Sequence, residues 1–546
     1  MKQSPRLSRR AALKMSIAGI ALAAGAGRDA FAQDPAPLPT PPAPPPAPPA
    51  QAPSENASVV ENFDFESFSA MMRRRSETPY ADNRPPLPDV LANLTYDEHR
   101  AIRYRPDRAL WRDEPVNFQL QAFSPGFLIK DTTRLFVGDG KRFELRNFTG
   151  ADFEYRAPLD PSVFQTIGLP GIAGFRLHYP LERPDYFDEL ITFLGASYFR
   201  ALGMGTRYGL SARGIAINTA TGTPEEFPRF SSFYIVHPEP GSKTIRLFAE
   251  LDSPSLTGAY AFTITPGQQT VMDVTARLYF RNAVDRLGVA PLTSMFTFGE
   301  NDRRNRDDFR PEVHDSDGLS IQRRNGERLW RPLKNPGELA LSYFQEVSPA
   351  AFGLVQRDRD FSHYEDVEAR YDLRPSLLIE PLGDWGQGMV ELVEIPTDSE
   401  ANDNIVAFWV PERRPEAGSQ YEFRYRMHWG LETEAADGQA RVTSTLGGVG
   451  GNAAETEKTN TRRFAINFTG GTAANLPLGT TIESIIDLPP NAKLVDSHLD
   501  RLPDGGWRLS MEFEKLDAAP AELRAKLSML QRIISETWLY QWTGTA

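Results

Sequence analysis

From Tyr421 to Trp429 the residues alternate without exception. Tyr421, Phe423, Tyr425, Met427 and Trp429 are aromatic or apolar, while Glu422, Arg424, Arg426 and His428 are charged or imidazole-bearing. Successive side chains of a strand point to opposite faces, so this pattern demands a β-strand with one buried face and one wet face. A helix would scatter the same residues around its axis. Such a strand needs neighbours in a sheet and a second layer over its apolar face. The period of two recurs over 244–251 and 270–280, then at Phe464/Ile466/Phe468, Trp507/Leu509/Met511/Phe513 and Trp538/Tyr540/Trp542. Gly, Pro, Asn and Asp punctuate these runs as turns between strands require. The expected fold class is therefore mainly β. Short helices are expected over 63–75 and 95–104, and a longer one over 185–201, where aromatic and aliphatic residues recur at helical spacing.

The organisation follows from composition. Residues 1–32 combine a basic start containing Arg9-Arg10, a short apolar stretch and Ala30-Phe31-Ala32 before Gln33. That order reads as a twin-arginine export signal with its cleavage site. The apolar stretch falls short of the roughly 20 residues needed to span a bilayer. Residues 33–58 form a spacer: 34–53 hold eleven prolines, which favour extended polyproline II over a packed core. A large β domain is expected over 59–410. The polar Pro/Gly stretch 411–418 (PERRPEAG) reads as a linker, and 419–546 as a small immunoglobulin-like β-sandwich.

Charge and cysteine usage narrow the chemistry. Removing the signal takes away six basic residues and one acidic one, moving the net charge from −12 to −17. An acidic surface argues against nucleic acid and anionic membranes as partners, but not against a neutral sugar. With no cysteine in the chain, there is no thiol nucleophile, and burial must supply the stability. The seven histidines show no H-x-x-x-H or H-E-x-x-H spacing, and no G-x-S-x-G elbow is present. Gly203-Met204-Gly205 lacks the third glycine of a dinucleotide loop. No metal or cofactor is expected.

The stretch 287–410 differs from its surroundings, being dense in Asp, Glu, Arg, aromatic residues and turn formers. It reads as loops carried on a sheet scaffold, where function tends to sit. Aromatic faces stack on pyranose rings and carboxylates bond their hydroxyls, so this mixture suits a sugar site. Glycoside hydrolysis requires two carboxyl groups, and composition alone does not select the pair from so many. His314 beside Asp315 invites a metal or triad reading that the absent motifs disfavour.

In this stretch the chain resembles a known family, the periplasmic glucan biosynthesis proteins G and D. The resemblance starts at 94–103 (LTYDEHRAIR) and is densest at 290–295 (APLTSM), 310–319 (RPEVHDSDGL), 371–376 (YDLRPS), 390–396 (VELVEIP) and 402–405 (NDNI). It implies a galactose-mutarotase-like β-sandwich followed by an immunoglobulin-like domain, in the periplasm. It also implies action on a β-1,2-linked glucan, by inverting endo-hydrolysis in some members. Carried over by motif, the general base falls on Asp315 and the general acid on Asp403, with turn capping as the other reading of both. Glu400 and Tyr371 fall beside the reacting sugar, with Arg374 and Trp385 as further substrate-binding candidates. Sheet packing is the other reading of Trp385 and Trp409. The signal resembles that of the D branch. The alternative implied is a non-catalytic glucan-binding protein that guides backbone synthesis, in contact with a membrane glucan synthase. Monomer and homodimer both stay open.

Overall fold

The computed structural model describes residues 58–543 apart from 83, 304–305, 452–459 and 478. The export signal expected at 1–32 and nearly all of the spacer lie outside the described residues. Two large, mostly antiparallel sheets pack face to face, giving the expected mainly β sandwich. The first has Thr270–Phe280, Gln420–Gly430 and Ser376–Pro381 as neighbours near its middle. The second runs from Ala340–Val347 at one edge through Gln387–Glu394, Ile405–Pro411 and Leu287–Ser294 to Gln119–Phe123. Between them lies one core, to which Met272, Val274, Met427 and Trp429 contribute from the first sheet. Phe193, Leu292, Leu392 and Trp409 face them from the second.

The strand that alternates most cleanly sits at the centre of this sheet. Phe423, Tyr425, Met427 and Trp429 point inward, in register with Ala276, Val274, Met272 and Thr270. Burying one such side chain contributes roughly 1.5–3 kcal/mol. A slip of one residue would exchange all four for Arg424, Arg426, His428 and Gly430. On the wet face Arg426 forms a paired contact with Asp273 on the neighbouring strand, at 2.7 and 3.1 Å. The division expected at 411–418 is therefore displaced. That segment leads directly into a central strand of the large sheet, and the C-terminal unit starts only near Ala440.

That unit is a smaller sandwich. Arg441–Val449, Thr461–Thr469, Trp507–Lys515 and Ala492–Arg501 form one layer, and Thr537–Trp542, Ala521–Met529 and Glu483–Asp487 the other. Phe464, Ile466, Leu509, Phe513, Leu523 and Trp538 fill the space between. The second layer is not separate. Thr537–Trp542 pairs in parallel with Arg328–Pro332 of the large unit, so one sheet passes through both sandwiches. Buried Arg357 secures the joint: it bonds Glu434 and Glu536 and lies 3.7 Å over the Trp330 ring.

Two other expectations are corrected. The segment 185–201 is no helix but the strands Asp188–Leu194 and Tyr198–Ala201. Ile191 and Phe193 face the core at a spacing of two, and Gly195 and Ala196 with positive φ turn the chain back. The stretch 287–410 holds strands throughout. Leu287–Ser294 is buried at all eight positions, and a strand covered on both faces shows no alternation to read. Of the helices expected early, Phe65–Ser76 forms, capped by Asp64. Over 95–104 the helix is one turn, Tyr96–Arg100, followed by the strand Ile102–Tyr104.

Candidate active site

Asp315 follows the two-residue strand Val313–His314, which pairs with Phe296–Phe298. The His314 ring stacks on Phe296 at 5.2 Å and bonds Glu312 at 2.7 Å and Gln356 at 2.9 Å. Those contacts occupy His314 within the core, so it has no free ring nitrogen for a triad. The Asp315 N–H donates to the Met295 carbonyl at 2.8 Å, which fixes the carboxylate beside the sheet end.

Asp403 comes from the turn between Gln387–Glu394 and Ile405–Pro411. Its neighbour Asn404 donates to the Phe296 and Ile395 carbonyls, each at 3.0 Å, and accepts from the Phe296 N–H at 2.8 Å. One short segment, Met295-Phe296, thus holds both Asp315 and the Asp403 turn. The motifs at 310–319 and 402–405, far apart in the chain, meet through it.

Each carboxylate faces a guanidinium. Arg200 lies 3.5 Å from Asp403, and Arg374 lies 3.5 Å from Asp315. Arg374 is almost wholly buried; it bonds the Tyr208 carbonyl and lies 5.1 Å over the Tyr371 ring. Burial pushes the Asp403 carboxyl up to about 6, helped by the charge of Asp315 and opposed by Arg200, Arg213 and Arg374. Asp403 is therefore poised to carry a proton near neutral pH. Among the described residues, Arg374 Nη2 is buried without a hydrogen-bond partner, and Asp315 Oδ1 and Arg374 Nε meet only each other, as the 3.5 Å ion pair. Buried polar groups are rarely left so, and hydroxyls of a ligand would complete them.

Glu400 and Tyr371 belong to the same constellation. The Tyr371 hydroxyl donates to Glu400 at 3.1 Å, and Arg310 donates to Glu400 at 2.7 Å and to Asp366 at 3.0 Å. Burial and the charge of Glu400 hold the Tyr371 hydroxyl well above the usual phenol range. Five of the six expected site residues thus converge: Asp403, Asp315, Glu400, Tyr371 and Arg374. Trp385 does not join them. It is packed among Phe352, Trp409, Phe423 and Tyr425 inside the sandwich, and its indole N–H donates to the Arg424 carbonyl at 3.1 Å. Trp409 is likewise wholly buried, so sheet packing is the role of both.

Arg200, Arg213 and Arg310 escaped sequence reasoning. Arg213 is buried, lies 4.8 Å over the Tyr198 ring and donates to Glu225 at 2.8 Å. Arg200 sits on a strand in the segment expected to be helix, which hid it, and Arg213 sits on the three-residue strand Ser211–Arg213, for which the sequence carried no expectation. Arg310 opens the motif at 310–319, but nothing in its spacing announces Glu400 as partner. Among the described residues no group of three or more His, Asp or Glu could hold a metal ion. No described helix is long and apolar enough to cross a membrane.

A model of the family described as periplasmic glucan biosynthesis protein, MdoG, matches residues 63–542. The chain belongs to this family. A glucans biosynthesis protein G of Cereibacter sphaeroides is 49% identical over 99% of this chain and 98% of the relative. Proteins of the same name from Vibrio cholerae and Bradyrhizobium diazoefficiens are 44% and 43% identical over 88% and 87% of the chain, covering 87% and 92% of the relatives. Membership in the periplasmic glucan biosynthesis family places the protein in the periplasm and in glucan biosynthesis. These relatives carry the G designation. The D-branch expectation rested on residues 1–32, which lie outside the described residues.

Proposed function

We propose that this member of the family shapes a β-1,2-glucan backbone by inverting endo-hydrolysis, with Asp403 as general acid and Asp315 as general base. The pairing of two buried carboxyl groups at one sheet end, one of them poised to be protonated near neutral pH, supports this reading best. Asp403 would protonate the leaving glycosidic oxygen. Asp315 would take a proton from water attacking the anomeric carbon on the opposite face, leaving the carboxyl groups exchanged in protonation. Inverting enzymes hold such a pair roughly 6.5–9.5 Å apart to admit the water. The incomplete hydrogen bonding of Asp315 Oδ1 and of Arg374, whose Nη2 has no partner, favours a polyhydroxylated ligand, and Glu400 and Tyr371 would bond the sugar beside the scissile bond.

Incubation of linear β-1,2-glucan with the purified protein should produce new reducing ends. Asp403→Asn and Asp315→Asn should each abolish them while leaving the fold intact. Near-normal turnover by either variant would remove that residue from the mechanism. A second reading draws support from the names of the relatives, which speak of biosynthesis: a glucan-binding guide that contacts a membrane synthase. In that case the wild-type protein would retard the polymer in a gel and release no reducing ends.

A further inference from the structure

A cleft of about 690 Å³ lies on the second sheet, away from the Asp403–Asp315 centre. The two are separated along one strand: Asp403 precedes Ile405–Pro411, whereas the cleft is lined by Val410 and Pro411 at its far end. The five steps from Ile405 to Val410 span roughly 17 Å at ~3.3 Å each. Gln345, Met389 and Val410 stand side by side on three neighbouring strands, directly in register, and form the floor. Gln387 pairs with Val347 one step along the same face.

The rim is held in place before any ligand arrives. Arg324 donates to the Ser348 carbonyl at 2.5 Å, to its hydroxyl at 3.1 Å and to the Gly383 carbonyl at 3.1 Å. Arg323 donates to Glu346 at 2.6 Å. The floor and lip, by contrast, hold groups in waiting. Gln345, Gln387, Glu412 and Arg414 are exposed, and their side chains have no partner among the described residues. Two amides, a carboxylate and a guanidinium offer both donors and acceptors, beside the apolar surface of Met389, Val347 and Val410. Hydroxyls that both donate and accept, on rings with apolar faces, match that mixture. Arginines and carboxylates are nearly balanced in the lining, so nothing favours an anion.

We propose that this cleft is a second, non-catalytic saccharide site that holds a neutral β-glucan chain. Its occupant is taken to be the glucan on which the Asp403–Asp315 centre is proposed to act. A polymer held at both places gains effective concentration at the reacting end, which raises its retention without any change in the chemistry.

Calorimetric titration of full-length Asp403→Asn protein with a linear β-1,2-glucooligosaccharide tests this, since that variant should not consume the ligand. Two equivalents should bind. Adding Gln345→Ala with Gln387→Ala should weaken one of them about tenfold, the effect of losing two neutral hydrogen bonds. Both glutamines are exposed, and an unchanged melting curve would verify the fold; Glu412→Ala with Arg414→Ala provides an independent second pair. In the otherwise wild-type protein the glutamine pair should leave cleavage of short oligosaccharides unchanged and weaken polymer retention. One equivalent, indifferent to both pairs, would overturn the second site and leave the catalytic reading standing. One equivalent abolished by the glutamine pair would support the cleft and overturn the catalytic reading, and no binding at all would overturn both. Displacement of the cleft-bound sugar by inorganic phosphate would show an ionic site and overturn the assignment to a neutral saccharide.

Discussion

Replacing Asp403 with Asn should stabilise the protein at neutral pH while destroying its proposed activity. The Asp403 carboxyl titrates near 3.8 in an ordinary environment and is pushed up to about 6 in the folded protein. Between those values the folded state binds the proton more tightly than the unfolded state does. Stability therefore falls as pH rises from about 4 to about 6, and levels off above. From well below pH 4 to well above pH 6 the whole loss amounts to about 3 kcal/mol, at about 1.36 kcal/mol for each pH unit between the two values. Asn is close in shape to the neutral acid and carries no charge to desolvate, so it escapes this loss. Burial outweighs the opposing attraction of Arg200, Arg213 and Arg374 in the wild type, hence removal of the charge is a net gain. Urea unfolding of both proteins at pH 4 and pH 8 measures it. The difference between the Asp403→Asn variant and wild type should be about 2.4 kcal/mol more favourable to the variant at pH 8 than at pH 4, where the unfolded carboxyl is already partly ionised. An equal difference at both values, or a variant that is weaker at pH 8, would refute the assignment of Asp403 as a carboxyl strained by burial.

The same raised carboxyl predicts that kcat/KM for glucan cleavage falls tenfold per pH unit above about 6, as the general acid of the free protein loses its proton; a kcat/KM flat from pH 5 to 8 would count against Asp403 in that role. Trp385→Ala should cost about 3–5 kcal/mol in urea unfolding through the cavity it leaves, with glucan affinity per folded molecule unchanged. Arg357→Ala should cost about 3–5 kcal/mol by leaving Glu434 and Glu536 buried without their cation, whereas Arg357→Met with Glu434→Gln and Glu536→Gln should recover most of it. Glu400→Gln keeps the size but removes the charge that Arg310 and Tyr371 share, so it should lower kcat or affinity for glucan at least tenfold while Tm moves little.

Much of the scaffold was legible in the chain because a half-buried strand repeats every two residues. Tyr421–Trp429, 270–280 and the three alternating runs after residue 460 all form strands with the faces the pattern requires. Leu287–Ser294 and Ile405–Pro411 were not legible, because both their faces are covered and the pattern vanishes. The end of the large unit was misplaced for a related reason. The local composition of 411–418 resembles a linker, yet where a strand finds its neighbours is decided by contacts more than a hundred residues away, here with Thr270–Phe280.

The candidate site divides along the same line. By itself the sequence determined a mainly β chain, an acidic surface, and the motifs that bear Asp315, Tyr371, Arg374, Glu400 and Asp403, since these depend on residue type and local order. Only the tertiary structure decided that Asn404 and Asp315 meet through Met295-Phe296, that Arg200 and Arg374 face the two carboxylates, and that Trp385 belongs to the core. Burial and the charges of distant neighbours raise one Asp above its kind, and neither quantity is a property of the residues beside it in the chain.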